Sequence, residues 1–244
     1  MRIPSFIAVI AAGVSLSAQA AFYTYSFTGI NATIPDADSS GYVNSQTISQ
    51  GTQGNYLGGN LSVADVVVRL DVSGGWNGDL YAYLRHETAG GTGFAVLLDR
   101  VGTTAGNPLG SGLNGFGSDG DGSPFRLTDS ASYSDVHGGS FPSYAGHLTG
   151  TWQVDQSGGA NSLISFHELN PVGTWSLFVA DLSGENVSTL NGWGLEITAV
   201  PEPVNVALSA FAGIFLVVIF ARSRSLRSRI HHLRVAVVQW IDAV

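Results

Sequence analysis

Between residues 21 and 199 no apolar pattern of helical period persists beyond a turn or two. Short runs of β-branched and aromatic residues are instead separated by clusters of Gly, Asn, Asp and Ser. A helix needs one apolar stripe sustained over several turns, whereas a strand needs only every second residue, so this pattern commits the chain to sheet. Runs at 22–28, 63–72, 80–85, 95–101, 125–128, 174–180 and 192–198 predict strands, and 161–169 predicts at most one short helical turn. Seven or more strands joined by turns predict an all-β sandwich or jelly roll. The uninterrupted Val66-Val67-Val68 predicts a strand buried on both faces. Residues 102–122 hold eight glycines and little apolar content, which predicts a long loop, mobile or organised by a ligand.

The chain has no cysteine, which excludes a disulfide framework, a thiolate metal site and a cysteine nucleophile. All ten basic residues are arginines, and five of them lie between 222 and 234. Residues 21–200 carry only Arg69, Arg85, Arg100 and Arg126 against sixteen acidic residues, a balance of −12. Such a segment repels nucleic acid, whose binding depends on neutralising phosphates, so no nucleic-acid partner is expected.

Both ends read as addresses. Arg2, the apolar stretch from 6 to 16 and Ala18-Gln19-Ala20 predict a signal peptide over residues 1–20, with cleavage before Ala21. Residues 204–221 form an uncharged apolar run of 18, about 27 Å as a helix and close to a hydrocarbon core in thickness. The arginines that follow place that flank in the cytoplasm and residues 21–200 outside. The plain expectation is a single-pass C-terminal transmembrane helix.

Pro201-Glu202-Pro203, the apolar span and then Arg222 and Arg224 give residues 200–229 an order of parts that resembles the PEP-CTERM sorting signal of Gram-negative bacteria. The resemblance implies that Pro201, Glu202, Pro203, Arg222 and Arg224 are recognised by an exosortase. It also implies delivery to the cell surface or extracellular matrix, in a setting of exopolysaccharide production. Residues 230–244, with His231, His232 and an apolar patch around Trp240, are an atypical C-terminal extension.

Four words within 21–199 carry a second resemblance: Ile34-Pro35-Asp36, Gly75-Trp76-Asn77-Gly78-Asp79-Leu80, the run from Gly173 to Asp181, and the run from Leu190 to Ile197. Their order and spacing resemble the P domain (Homo B) that follows the catalytic domain of subtilisin-like proprotein convertases. The resemblance implies a jelly-roll sandwich related to galactose-binding-like domains. The family's Ser-Pro-x-Gly turn is replaced here by residues 87–92, and no protease domain accompanies the module in this chain.

Carboxylates two residues apart on Gly-bearing loops are able to fold around a hard cation. Asp36 and Asp38, and Asp119 and Asp121, have that spacing, and the P-domain resemblance adds Asp79; Ca²⁺ is the expected ion. The alternative is that these aspartates shape turns by bonding their own backbone. Trp76, Trp175 and Trp193 are expected in the core, while Trp152 and Tyr144, nearer loops, are candidate binding-surface residues. His86, His137, His147 and His167 form no zinc word and are expected at the surface or at strand ends. No Gly-x-Ser-x-Gly elbow occurs, so catalysis is not expected. The functional expectation is an exported, non-catalytic envelope or matrix protein that binds surface polysaccharide or an envelope protein. The alternatives are an accessory module of a separately encoded exported subtilisin-like protease, and a glycan hydrolase built on Glu168 and Glu185.

Overall fold

A computed structural model describes residues 19–202 apart from 56, 58, 59, 118–121, 123, 139, 140 and 142, together with 208, 210–216, 218–220 and 222. Asp119, Asp121, Pro203, Arg224, most of the signal-peptide segment and residues 230–244 lie outside the described residues. Gln19–Pro201 form one compact unit. In the other, the described residues from 208 to 222 are helical, and among the described residues no helix is long and apolar enough to cross a membrane.

The unit is a two-sheet, all-β sandwich. Its strands are β1 (Ala21–Thr33), β2 (Asp38–Ile48), β3 (Leu61–Gly74), β4 (Leu80–Thr88), β5 (Gly91–Asp99), β6 (Gly115–Phe116), β7 (Phe125–Thr128), β8 (Ser143–Tyr144), β9 (His147–Leu148), β10 (Gly150–Gln153), β11 (Gly173–Asp181) and β12 (Ser188–Pro201). One sheet runs β1-β12-β3 and continues from β3 both to β7 and β10 and to β6, β9 and β8; the other runs β2-β11-β4-β5. β12 is the spine of the first sheet, with Tyr25, Leu195 and Val68 aligned across three strands. Their side chains, with Ile197, Leu177 and Leu84, belong to one buried core. The indole N–H of Trp193 on β12 donates to Asn44 Oδ1 on β2 at 2.9 Å, tying one sheet to the other.

The seven expected strands are present, most of them longer than the apolar runs that announced them. β2 was not expected, because its outward and inward positions are both largely polar and only Ile48 is buried. It exists as an edge strand whose order comes mainly from the backbone ladder to β11, with Ile48 in the core and Tyr42 packed against it. β3 also corrects the sequence reading. Val66, Val68, Leu70 and Val72 are buried while Val67, Arg69, Asp71 and Ser73 are half-covered, so one face alone lies in the core.

The other face of β3 is occupied by a polar cluster. Arg69 Nη2 donates to Tyr25 O and Ser26 Oγ, both at 2.9 Å, and Arg126 Nε donates to Glu196 Oε1 at 3.1 Å. Gly194 is what lets Arg69 lie across β12, since a Cβ there would come within 2.6 Å of its guanidinium.

The described part of 102–122 is held by backbone bonds. Ser111 N donates to Val101 O at 2.8 Å, Thr104 bridges to Asn107, and Gly115 pairs with Ser73 as part of β6. The short turn expected within 161–169 is the 3-10 turn Leu163–Phe166, whose Ile164 N–H donates to Asp129 Oδ2 at 2.8 Å.

Candidate functional site: the loop end of the sandwich

Three of the four words that suggested a family converge at one end of the sandwich. Gly74 and Gly75, both with positive φ, turn the chain out of β3 into the 3-10 turn Asn77–Asp79. The close approach there requires glycine: a Cβ on Gly75 would fall 1.8 Å from Ser188 Oγ, and one on Gly78 would fall 2.2 Å from Leu109 O. Gly78 N donates to Ser111 O at 2.9 Å and Leu182 N to Asp79 O at 2.8 Å. The loops around 76, 110 and 182–188 are thereby fastened to one another.

Beneath them lies a buried charge cluster. Asp79 and Asp181 are both buried. Arg100 Nε donates to Gly78 O at 3.0 Å, and its Nη2 stands 3.8 Å from Asp79 Oδ1. Burial pushes the Asp79 carboxyl above the usual carboxylate range, opposed by Arg100. Asp181 is raised likewise, by burial first, although it accepts from Ser183 N at 3.3 Å. Asp36 adds its charge to both. It also accepts from Glu185 N at 3.3 Å, so the 182–187 loop is tied to the segment before β2.

Above the cluster the loops carry apolar side chains into solvent. Trp76 is 40% exposed, and Leu109, Leu182 and Val187 are exposed beside it in the sequence of loops. Ala37, Arg100, Glu185 and Asn186 all adopt positive φ, so four strained non-glycine residues gather at this end. Strain of this kind persists only where the surroundings over-determine it, and it concentrates at functional sites. Trp76 was expected in the core with Trp175 and Trp193. Those two are buried, but Trp76 sits on the turn itself, past the last core-facing position of β3.

Of the expected calcium residues, Asp36, Asp38 and Asp79 are described, and these three do not form one cage. The charge of Asp36 bears on Asp79 and on Asp181, a residue the sequence does not single out because it ends an apolar strand. Asp38 points its Oδ1 at Ser40 N, 2.8 Å away, as a turn former. Among the described residues no group of three or more His, Asp or Glu is arranged to hold a metal ion. The described carboxylates therefore do not fit a calcium site; the guanidinium of Arg100 is the positive charge that faces Asp79.

Trp152 is not a surface residue. It is 6% exposed, packs against Phe141 at 5.3 Å between centroids, and donates its N–H to Thr149 O at 3.0 Å. Tyr144 is exposed, on the short edge strand β8. His86 also departs from expectation: it lies in the core, facing Thr174 O and Asn170 O with its two ring nitrogens. His137 joins Asp155 Oδ1 at 2.5 Å through Nε2, while its Nδ1 faces the carbonyl and the hydroxyl of Thr103 at 3.1 and 3.2 Å. It ties the 103 loop to the 155 loop.

Glu168 and Glu185 do not form a pair. Glu168 N bonds Val63 O near the start of β3, whereas the loop bearing Glu185 packs on Gly74 and Gly75 at its end. Eleven residues of extended strand separate the two ends, about 36 Å, against the 5–9.5 Å or so that a glycosidase pair requires.

No protein-family model and no curated protein sequence matches the chain. Among solved structures it is similar to the serine protease of Aeromonas sobria in complex with its chaperone, at 17% identity and a TM-score of 0.37, over 74% of this chain and 26% of that one. The same protease alone gives 17% identity and a TM-score of 0.36 over 73% and 26%. This chain thus spans about a quarter of the length of those it matches.

Proposed function

We propose that this protein is an exported, non-catalytic binding module of the bacterial cell envelope, a jelly roll of the P-domain type, which docks on another envelope protein through its loop end. The two terminal signals support export and exosortase sorting, with the apolar span as membrane anchor before any processing. One observation carries the docking: Trp76, an exposed aromatic residue of the loop end, rises from a strained and glycine-locked turn beside the buried Asp79 and its half-buried partner Arg100. A rigid aromatic anchor loses little side-chain entropy on binding, and tryptophans are enriched where protein interfaces concentrate their energy. An exported subtilisin-like protease is the partner under the accessory-module reading, which uses this same surface.

The test places a photo-reactive amino acid at position 76 of the full chain in its native host, with position 144 as control. Crosslinks to one exported protein from 76 and none from 144 are expected. Equal capture at both positions would sink the docking surface. The intact mass of the recovered chain tests the address: a start near Ala21 and an end near Pro201–Pro203 support sorting, and a chain retaining Val244 counts against it.

A further inference from the structure

β1 is the edge of the first sheet, paired with β12 alone among the described residues. Residues 22–28 read Phe-Tyr-Thr-Tyr-Ser-Phe-Thr: four of the seven are aromatic, and none is charged, Gly or Pro. A flat, uncharged edge of that composition is a template for another strand. β2, the edge of the other sheet, is by contrast polar along most of its length and contains Gly41 at positive φ.

Two amides stand where the next strand would lie beside β1. Gln53 Oε1 accepts from Ser26 N at 2.8 Å and Gln53 Nε2 donates to Ser26 O at 2.7 Å, while Asn55 Nδ2 donates to Thr24 O at 2.8 Å. Thr24 and Ser26 are two residues apart, so these main-chain groups point to the same edge, away from β12. Gln53 thus makes with Ser26 the pair of bonds that a facing residue of an antiparallel strand would make. The turn that carries the amides is organised locally: Gly54 N donates to Gly51 O at 3.0 Å, and Ser49 N donates to Thr52 Oγ1 at 2.9 Å. Gln53 holds a φ of 52°, which a non-glycine residue adopts at a cost, and it is exposed, so water competes for both of its bonds.

We propose that Gln53 and Asn55 are a removable cap, and that the edge beneath them pairs antiparallel with the β1 edge of a second copy of this chain once the cap swings away. The edge is complementary to itself. Centred on Tyr25, an antiparallel pair sets Thr24 against Ser26 and Phe22 against Thr28. Hydroxyl then meets hydroxyl and aromatic meets β-branched, both favourable cross-strand pairs. The edge-facing N–H and C=O of Thr24 meet those of Ser26, and three of those four groups are the ones the two amides hold. No charge lies on residues 21–33, so two such edges bring no like charges into contact. The balance of −12 over residues 21–200 acts from farther off and is screened beyond about 8 Å at physiological salt. One edge from each copy is used and the pairing closes with two-fold symmetry, so the product is a dimer and not a fibre. The cap sets whether this protein stands alone or in pairs.

The chain has no cysteine, so a single Thr24→Cys in the full chain reports its own neighbours. Two copies paired about Tyr25 bring their positions 24 to about 7–8 Å as diagonal neighbours, within the span of a short bismaleimide. The chain is produced in its native host with and without Gln53→Ala and Asn55→Ala, treated with the bismaleimide and run on a denaturing gel. The capped chain is expected as a monomer. Removing both amides should raise the covalent dimer about tenfold or more, since three hydrogen bonds are taken from the competing state. Tyr144→Cys in the capless chain, on β8, should give no rise. Phe22→Lys added to the capless chain should return crosslinking to the capped level, because a lysine on an edge opposes pairing. Gln53→Glu alone loses the donor to Ser26 O and should raise the dimer at least about twofold, which keeps the test decisive if the capless chain does not fold. No rise at position 24, an equal rise at 144, crosslinks to another protein instead of a second copy, or indifference to Phe22→Lys overturns the proposal. Capture from position 76 is unaffected by removing the cap, so failure of the loop-end reading and failure of this one are told apart.

Discussion

His86 and Trp175 lie face to face in the core, ring centroids 3.7 Å apart and planes 11° from parallel. Trp175 is in turn fixed by its N–H donating to Pro171 O at 3.0 Å. Burial holds the His86 imidazole below its usual range, against the pull of the two carbonyls that face it. A folded-state value below the unfolded one means that the unfolded chain takes up the proton first. The stability this residue contributes is therefore present above about pH 6.5 and is lost as pH falls toward the depressed folded value. Urea unfolding should show the parent losing stability relative to His86→Phe between pH 7 and pH 5. A constant difference across that range would refute the assignment.

The buried carboxyl of Asp181 gives the opposite slope. Its folded value is raised, so its favourable contribution is complete below about pH 3.9 and is lost as pH rises through the folded value. Asp181→Asn keeps an acceptor for Ser183 N while removing the charge. The stability of this variant relative to the parent should improve on going from pH 4 to pH 7, read from the shift in urea midpoint at each pH. The same relative stability at both values would mean that Asp79 and Arg100, not Asp181, set the electrostatics of the loop end.

How far the sequence reveals this molecule depends on which interaction orders each part. The inner strands β3, β4, β11 and β12 bury apolar positions in alternation, so they are legible as runs of residues. β2 is ordered by main-chain bonds to β11, for which side-chain periodicity carries no signal. Trp76 and Trp193 look alike in sequence, each beside glycine, yet one sits on a turn and the other in a ladder register opposite Leu70. Only pairing distinguishes them. The same holds for Phe178, Tyr83 and Phe94, each of which reads as an ordinary strand residue until register sets the three side by side.

The loop end depends on glycine contacts that no side chain would tolerate. Gly78→Ala forces the turn away from Leu109 O and should cost about 1–3 kcal/mol. It should also abolish crosslinking from position 76, because the anchor is displaced. Gly112→Ala, where an added Cβ meets open space, is the control and should leave both nearly unchanged. Thermal unfolding that treats the two variants alike would remove the argument that this turn is locked.

Trp76 and Trp175 separate function from packing most cleanly. Trp175 is wholly buried between His86 and Phe166, and its truncation to Ala removes those contacts and leaves the Pro171 carbonyl without its donor. A loss of about 3–5 kcal/mol is expected in urea unfolding. Trp76→Ala truncates a side chain that is 40% exposed and should cost clearly less, no more than about 2 kcal/mol. A docking residue must weaken partner capture when removed and yet leave the fold alone. If Trp76→Ala instead costs as much as Trp175→Ala, the indole is holding the loops together, and the exposed residues at this end must be explained without a partner.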